Sequence, residues 1–432
     1  MAEIVAVTIF IVALGFLFTE KWNRVVVSGL GAAAMVAAGL LLDFYDEEHA
    51  IETVEFETLA LLLGMMILVA LLRTTGFFEF VAILVAQRNG DSMVRLLLML
   101  GLTTSLLSMV LDNVTTIVLM APMTVLIATF LGVSPVPLLI SQAIFSNIGG
   151  MATLVGDPPN ILIGAAAGLS FNDFLINLGP IVLVLLVVVF FSLRYLLRDQ
   201  IRAVDPEAQG QRAIYSLNAR EALTDSQGAR RVLLVLGGVV VLFMLERPLH
   251  ITPAFAALTG AGIALGWTQM DVHEILKEVD WDVLLFFTGL FVMVGGLEAA
   301  GVLEQIAERL LGIQDISPVL LGLIIMWAMV VLSALIDNVP VTIAVIPIVL
   351  NLGVQGVDIQ PIWWAIALGA GLGGNATPIG STANVVVISV STRANHPITS
   401  REWLSTGIPV TLVSSLVASG LYVLLFDFLS AG

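Results

Sequence analysis

Long apolar runs, interrupted at intervals by short polar stretches, organise this chain. A bilayer core about 30 Å thick needs roughly 20 apolar residues per helix. Runs of that order fall at about 4–19, 25–43, 56–73, 179–197, 232–246, 251–267, 282–300 and 405–427. The first lacks a basic leading region and runs straight on to a second span, so it reads as a span and not as a signal peptide. No segment alternates strictly over the length of a barrel strand, which excludes a transmembrane β-barrel. The pattern predicts an all-α polytopic membrane protein of about 10 spans.

The basic residues set the orientation. Segment 194–231 carries seven Arg and is the only long polar stretch. It is expected in the cytoplasm, its 198–231 portion being a linker between a first half, 1–197, and a second, 232–432. Counting back puts Lys21, Arg24, Arg73, Arg88 and Arg95 inside and the acidic loop 43–57 outside. Counting forward puts Arg393 and Arg401 inside. Loop 268–281 is acidic yet expected inside, which the rule tolerates because acids count little.

Residues 94–131 are apolar except around Asp112, Asn113, Thr115 and Thr116, and the Arg count puts both ends inside. A re-entrant hairpin with its polar tip near mid-membrane meets both conditions. Residues 319–350 repeat the pattern from outside, with Asp337, Asn338 and Thr342 at the tip. Two further runs, 137–170 and 362–392, read as broken helices. Gly149, Gly150, Gly156, Pro158 and Pro159 interrupt the first, and Gly373, Gly374, Pro378 and Gly380 the second. Thr153, Asp157 and Asn160 sit in the first break; Asn375, Thr377, Ser381 and Asn384 sit in the second.

The halves match at one offset. VEFETLALLLG (54–64) aligns with VDWDVLLFFTG (279–289), Gly76 and Glu79 with Gly301 and Glu304, and LDNVTTIVLMAP (111–122) with IDNVPVTIAVIP (336–347), all by 225. GGMATLVGDPPN (149–160) aligns with GGNATPIGSTAN (373–384) by 224. The topology count runs span 56–73 out-to-in and span 282–300 in-to-out, so the repeats are inverted, a plan common in secondary transporters.

Intramembrane carboxylates are expensive and rarely face lipid. Asp112 and Asp337 have a plain role as N-caps of the second hairpin helices, which does not compete with ion binding at the same helix ends. Unwound backbone offers carbonyls to cations and N–H groups to anions. Asn147, one turn before the first break, reads equally as cavity lining or as an interhelical hydrogen bond. Glu79 and Glu304 read as solvated interfacial positions, Met65, Met66, Met99 and Met120 as packing, and Trp363 and Trp364 as an interface anchor.

Composition narrows the class. Of 432 residues, 59% are hydrophobic and 12% charged, with a mean hydropathy of +1.05, which rules out a soluble fold. The net charge of −16 argues against a nucleic-acid partner. There is no Cys, so disulfides, thiolate metal sites and thiol catalysis are excluded, and the four His make no metal-ligand spacing. No phosphate-binding loop is present. The chain therefore reads as a transporter and not an enzyme. It needs no cofactor and is driven by an H+ or Na+ gradient, unless a soluble ATPase subunit assists.

The pairing of DNVTTIVLMAP with GGMATLVGDPPN resembles the ion transporter superfamily, closest to the branch of ArsB arsenite permeases, NhaD-type sodium–proton antiporters and P-protein-like permeases. The resemblance covers nearly the whole chain. It implies a multi-pass protein of the inner (cytoplasmic) membrane, a homodimer, elevator-like alternating access, and sites at the hairpin tips and helix breaks. By position, Asp112, Asn113, Thr115, Thr153, Asp157 and Asn160 would make a first site. Asp337, Asn338, Thr342, Thr377, Ser381 and Asn384 would make a second, with Asn147 and Asn375 beside them.

One departure bears on substrate. The related dicarboxylate symporters carry Ser-Asn-Thr at the tip, where this chain has Asp twice. No Arg or Lys is expected near either tip or break. Like charges a few ångströms apart cost about 4 kcal/mol at an effective dielectric near 20, which disfavours a dicarboxylate or citrate symporter. Proton-coupled efflux of arsenite or antimonite comes first: the neutral trihydroxide suits the Asn and Thr groups. Sodium–proton antiport at the same hard oxygens is the alternative. Asp112, Asp157 and Asp337 are the proton-coupling candidates.

Overall fold

A computed structural model describes residues 1–19, 22–89, 92–202, 218–302 and 316–430. Lys21, Arg212 and Glu304, and residues 203–217 of the expected linker, lie outside the described residues. The described chain is helical throughout and has no strand. Among the described residues, eight helices are long and apolar enough to cross a membrane, or nine if the bent pair Pro158–Ala167 and Phe171–Asn177, 112° apart, counts as one. The expected spans at 4–19 and 251–267 are the helices Ala2–Thr19 and Pro253–Thr268. The linker ends sooner than its composition suggests. Asp225 accepts from the Gly228 N–H and caps Ser226–Met244, so helix geometry is already in place through Arg230 and Arg231.

Both hairpins are present. Met93–Ser108 turns back into Asn113–Leu131, and Pro318–Leu335 into Asn338–Val354. Both broken helices are present too. Val136–Gly150 resumes as Pro158–Ala167, and Gln360–Gly373 resumes as Thr382–Arg393.

Matched residues make matched contacts. A Cβ on Gly64 would strike the Ala257–Leu258 backbone, and one on Gly289 would strike the Ser28 backbone. Two helix pairs, Phe56–Thr74 on Pro253–Thr268 and Trp281–Ala299 on Arg24–Leu42, thus approach closely through the same repeat position. In the hairpins, Ser108 Oγ donates to the Ser146 carbonyl at 2.8 Å and Ser333 Oγ to the Ala370 carbonyl at 2.7 Å. Thr153 Oγ1 donates to the Met109 carbonyl at 2.5 Å and Thr377 Oγ1 to the Ala334 carbonyl at 2.6 Å. Gly76 and Gly301 both hold φ at +75°, the left-handed region that favours glycine.

Two sequence expectations are corrected. Trp363 and Trp364 are fully buried, with Trp364 Nε1 donating to the Leu429 carbonyl at 3.2 Å and its ring edge-on to Phe174. They are core, not an interface belt. Glu79 is half-buried with Oε2 sealed from solvent, rather than on a solvated face.

Candidate functional site

The hairpin tips are built as helix starts. Asp112 accepts from Thr115 N at 2.8 Å and Thr115 Oγ1 at 2.5 Å. Asp337 accepts from Val339 N at 3.1 Å and from Thr382 Oγ1 at 2.6 Å. Each carboxylate therefore satisfies orphan N–H groups of its own helix. Thr115 is spent on Asp112, and Thr342 donates to the Asn338 carbonyl one turn back. Thr153 and Thr377 are spent pinning the breaks to the hairpin turns.

The breaks are held open by carboxamides. Asn160 Nδ2 donates to the Thr153 and Met151 carbonyls at 2.8 and 3.2 Å. Asn384 Nδ2 donates to the Gly374 and Thr377 carbonyls at 2.7 and 2.9 Å. Both replace helix hydrogen bonds lost where the chain unwinds, which buried backbone requires. Gly150 sits against the Gly156 carbonyl, and Gly374 faces the Gly380 carbonyl, so no side chain fits between the strands of either break.

Where the sequence suggested two sites, the structure brings one polar centre together. Asn113 Nδ2 donates to Asp157 Oδ1 and to Asn147 Oδ1, each at 3.1 Å. Asn338 Nδ2, from the other hairpin, lies 3.3 and 3.2 Å from Asp157 Oδ1 and Oδ2. Asn147 Nδ2 donates to Asn375 Oδ1 at 3.0 Å and Asn384 Oδ1 at 3.2 Å, while its own Oδ1 accepts from Ser381 Oγ at 3.1 Å. Asn147 is therefore the hub between the two breaks. All seven residues of this cluster are buried. Asn113 Oδ1 is buried there without a hydrogen-bond partner, leaving an acceptor beside the carboxylate.

The cluster is asymmetric although its frame is not. By the repeat offset, Asp157 corresponds to Ser381 and Asn147 to Gly371, so the first half alone supplies the central carboxylate and the hub amide. Asp112 and Asp337 serve as caps, and Asp337 also lines the small pocket that holds Asp157.

Sequence reasoning missed Arg24. The expectation that no basic residue lies near a tip or break is overturned: Arg24 lines the same small pocket as Asn113, Asp157, Asn338 and Ser381, a space of about 30 Å³. Arg24, Phe286, Asp337 and Thr382 also line an adjoining cavity of about 350 Å³. Arg24 opens helix Arg24–Leu42, far along the chain from every one of those residues, so no local pattern ties it to them. Its guanidinium lies 3.8 Å from Asp280 and 5.8 Å from the Phe286 ring centre. On the opposite side, a cavity of about 590 Å³ is lined by Glu52, Glu55 and Glu298 and reaches inward to Leu162 and Ile343 without touching the polar centre.

Comparison with known proteins agrees with this architecture. A family model described as a citrate transporter, CitMHS, matches residues 14–369. A 46 kDa membrane protein of Mycobacterium leprae is 40% identical over 98% of both chains. An uncharacterized transporter of Mycobacterium tuberculosis is 40% identical over 99% of both. The human P protein is 30% identical over 92% of this chain and 57% of its own length. Among solved structures, the YdaH transporter of Alcanivorax borkumensis superposes with a TM-score of 0.63 at 12% identity, covering 99% of this chain and 98% of its own. That likeness is one of fold.

Proposed function

The chain belongs to the CitMHS citrate-transporter family, a family of multi-pass membrane transporters, and on that premise we propose that it is a secondary active transporter coupled through Asp157. The observation that carries this reading is a buried carboxylate gripped by one amide from each hairpin tip, Asn113 at 3.1 Å and Asn338 at 3.2 Å. A group held by both tips couples its own occupancy to their positions. A proton on Asp157, or a small cation drawing on Asp157, Asn113 Oδ1 and the break carbonyls, changes what each amide can donate to.

Space favours sodium–proton exchange over arsenite or antimonite efflux at this centre. About 30 Å³ is enough for a water-sized guest and small for a trihydroxide. Hard oxygen donors suit a group I cation. Asp112 and Asp337, engaged as caps, support the tip helices rather than carry the proton.

The test is vesicle reconstitution with an imposed pH gradient, adding sodium, lithium and arsenite separately. Sodium or lithium should dissipate the gradient, and Asp157→Asn should abolish that response. If arsenite alone is moved, cation exchange is wrong. If Asp157→Asn exchanges normally, the assignment of Asp157 is wrong.

A further inference from the structure

The cavity of about 350 Å³ beside the polar centre lies within the range of small-molecule sites. Its walls are chemically unequal. Most are apolar, with Leu17, Ile336 and Val385 among them. One wall carries Arg24 backed by Phe286, and Asp337 lies in the lining from the second hairpin tip. Among the described residues, Arg24 is the sole basic side chain in this lining and in that of the adjoining pocket. Its ion pair with Asp280 is loose, at 3.8 Å, and both partners are partly exposed, so the guanidinium has donors to spare.

The geometry points to a binding site for a small carboxylate with an apolar body and a single negative charge. The carboxylate docks on Arg24 in the forked geometry a guanidinium offers. The body lies against Phe286 and the aliphatic wall. Polyanions are disfavoured by the charges of the described lining: the Arg24 guanidinium, already shared with Asp280, faces Asp337 in the same cavity and Asp157 just beyond it. A tricarboxylate would bring two unpaired charges toward those carboxylates. This chain's solute is thus a different one from that in its family's name. The assignment rests on the transporter reading but not on cation coupling at Asp157, because binding can be measured with no gradient.

The experiment is equilibrium binding of radiolabelled 3-phenylpropionate to the purified full-length protein in lipid nanodiscs, with citrate as competitor. 3-Phenylpropionate should bind saturably, and citrate at the same concentration should not displace it. Arg24→Gln should weaken binding at least about tenfold, the loss expected for a charge-assisted hydrogen-bonded pair. Arg24→Lys should retain part of it. Thermal melts of both variants separate loss of the site from loss of the fold. Asp337→Asn should admit citrate as a competitor. Absence of saturable 3-phenylpropionate binding, tighter binding of citrate in the unaltered protein, or unchanged affinity in a folded Arg24→Gln variant would each overturn the assignment. A failure of proton exchange in vesicles would leave it standing.

Discussion

Asn338 reaches from the second hairpin tip to both oxygens of Asp157 in the first broken helix, at 3.3 and 3.2 Å. Asn113, its repeat partner, reaches the same carboxylate at 3.1 Å from the first tip. Two amides related by the repeat thus converge on a carboxylate that has no counterpart, because Ser381 stands at the matching position. The frame repeats, while the charge at its centre is single. Asp157→Asn keeps the shape but removes the titrating charge. Proton-coupled exchange in vesicles should fall to background, while fold and thermal stability stay close to those of the parent protein.

The tip carboxylates should behave otherwise. Asn is as good an N-cap as Asp, so Asp112→Asn and Asp337→Asn preserve the bonds to Thr115 N and Val339 N. Each should retain proton coupling and lose less than about 1 kcal/mol of stability. Ala at either position should cost about 1 kcal/mol, from the unsatisfied first turn. Chemical denaturation in detergent alongside the vesicle assay reads both quantities. Loss of coupling in both Asn variants, with folding intact, would move the proton from Asp157 to the tips.

Much of this was legible in the sequence. The hairpins and breaks were visible because a bilayer tolerates polar and Gly/Pro residues only where protein surrounds them. The offset of 225 pairs Gly64 with Gly289 in the aligned blocks, and the structure adds Ser108 with Ser333 as geometric equivalents. What the sequence withheld is convergence. By sequence Asn113 falls in one site and Asn338 and Asn384 in another, with Asn147 beside them, because periodicity within one segment carries no information about contact across halves. Arg24 was invisible for the same reason: its place depends on how Arg24–Leu42 packs on Trp281–Ala299. The burial of Trp363 and Trp364 was also hidden, since an aromatic pair at the start of a helix looks the same whether lipid or protein covers it.

Glycine contacts separate packing from mere composition. Gly289 faces the Ser28 backbone, and an added Cβ would lie 2.8 Å from Ser28 atoms; Gly64 faces the Ala257–Leu258 backbone as closely. Backbone cannot yield as a side chain can, so Gly64→Ala and Gly289→Ala should each destabilise by about 1–3 kcal/mol. Gly29 and Gly237 have open space where a Cβ would go. Ala there should be neutral or stabilise by up to about 1 kcal/mol. Thermal melts of the four single variants in one detergent decide it; equal effects across all four would remove the close-approach argument.

Outside the membrane, the cap of Glu47–Glu52 titrates. Asp46 accepts from His49 N at 2.9 Å and contacts His49 Nδ1 at 2.7 Å. The backbone hydrogen bond from His49, then the side-chain one, holds Asp46 below its usual value, and the Asp46 contact raises His49. The Asp46 contribution is present above its unfolded pKa and lost as pH falls through the lowered one. The His49 contribution is present below its ordinary value and lost as pH rises through the raised one. The cap is thus firmest between the ordinary Asp and His ranges. Four His in the chain make selective labelling tractable: NMR should find the His49 midpoint above its ordinary value and Asp46→Asn should lower it.

The two faces of the polar centre should differ in access. The cavity holding Arg24 and Asp337 adjoins the Asp157 pocket, whereas the cavity holding Glu52 and Glu298 stops at Leu162 and Ile343. The Arg distribution puts the Arg24 side in the cytoplasm. The natural chain has no Cys, so a single introduced thiol is the sole target for a membrane-impermeant maleimide. Val385→Cys, in the first cavity, should label in inside-out vesicles and resist in right-side-out ones. Ala165→Cys, in the second, should do the reverse. Sodium that shifts the population between inward- and outward-open states should change the Val385→Cys rate while an exposed cytoplasmic thiol reacts as before. Labelling of Val385→Cys from the outside alone would invert the orientation, and equal labelling from both sides would argue for an open pore.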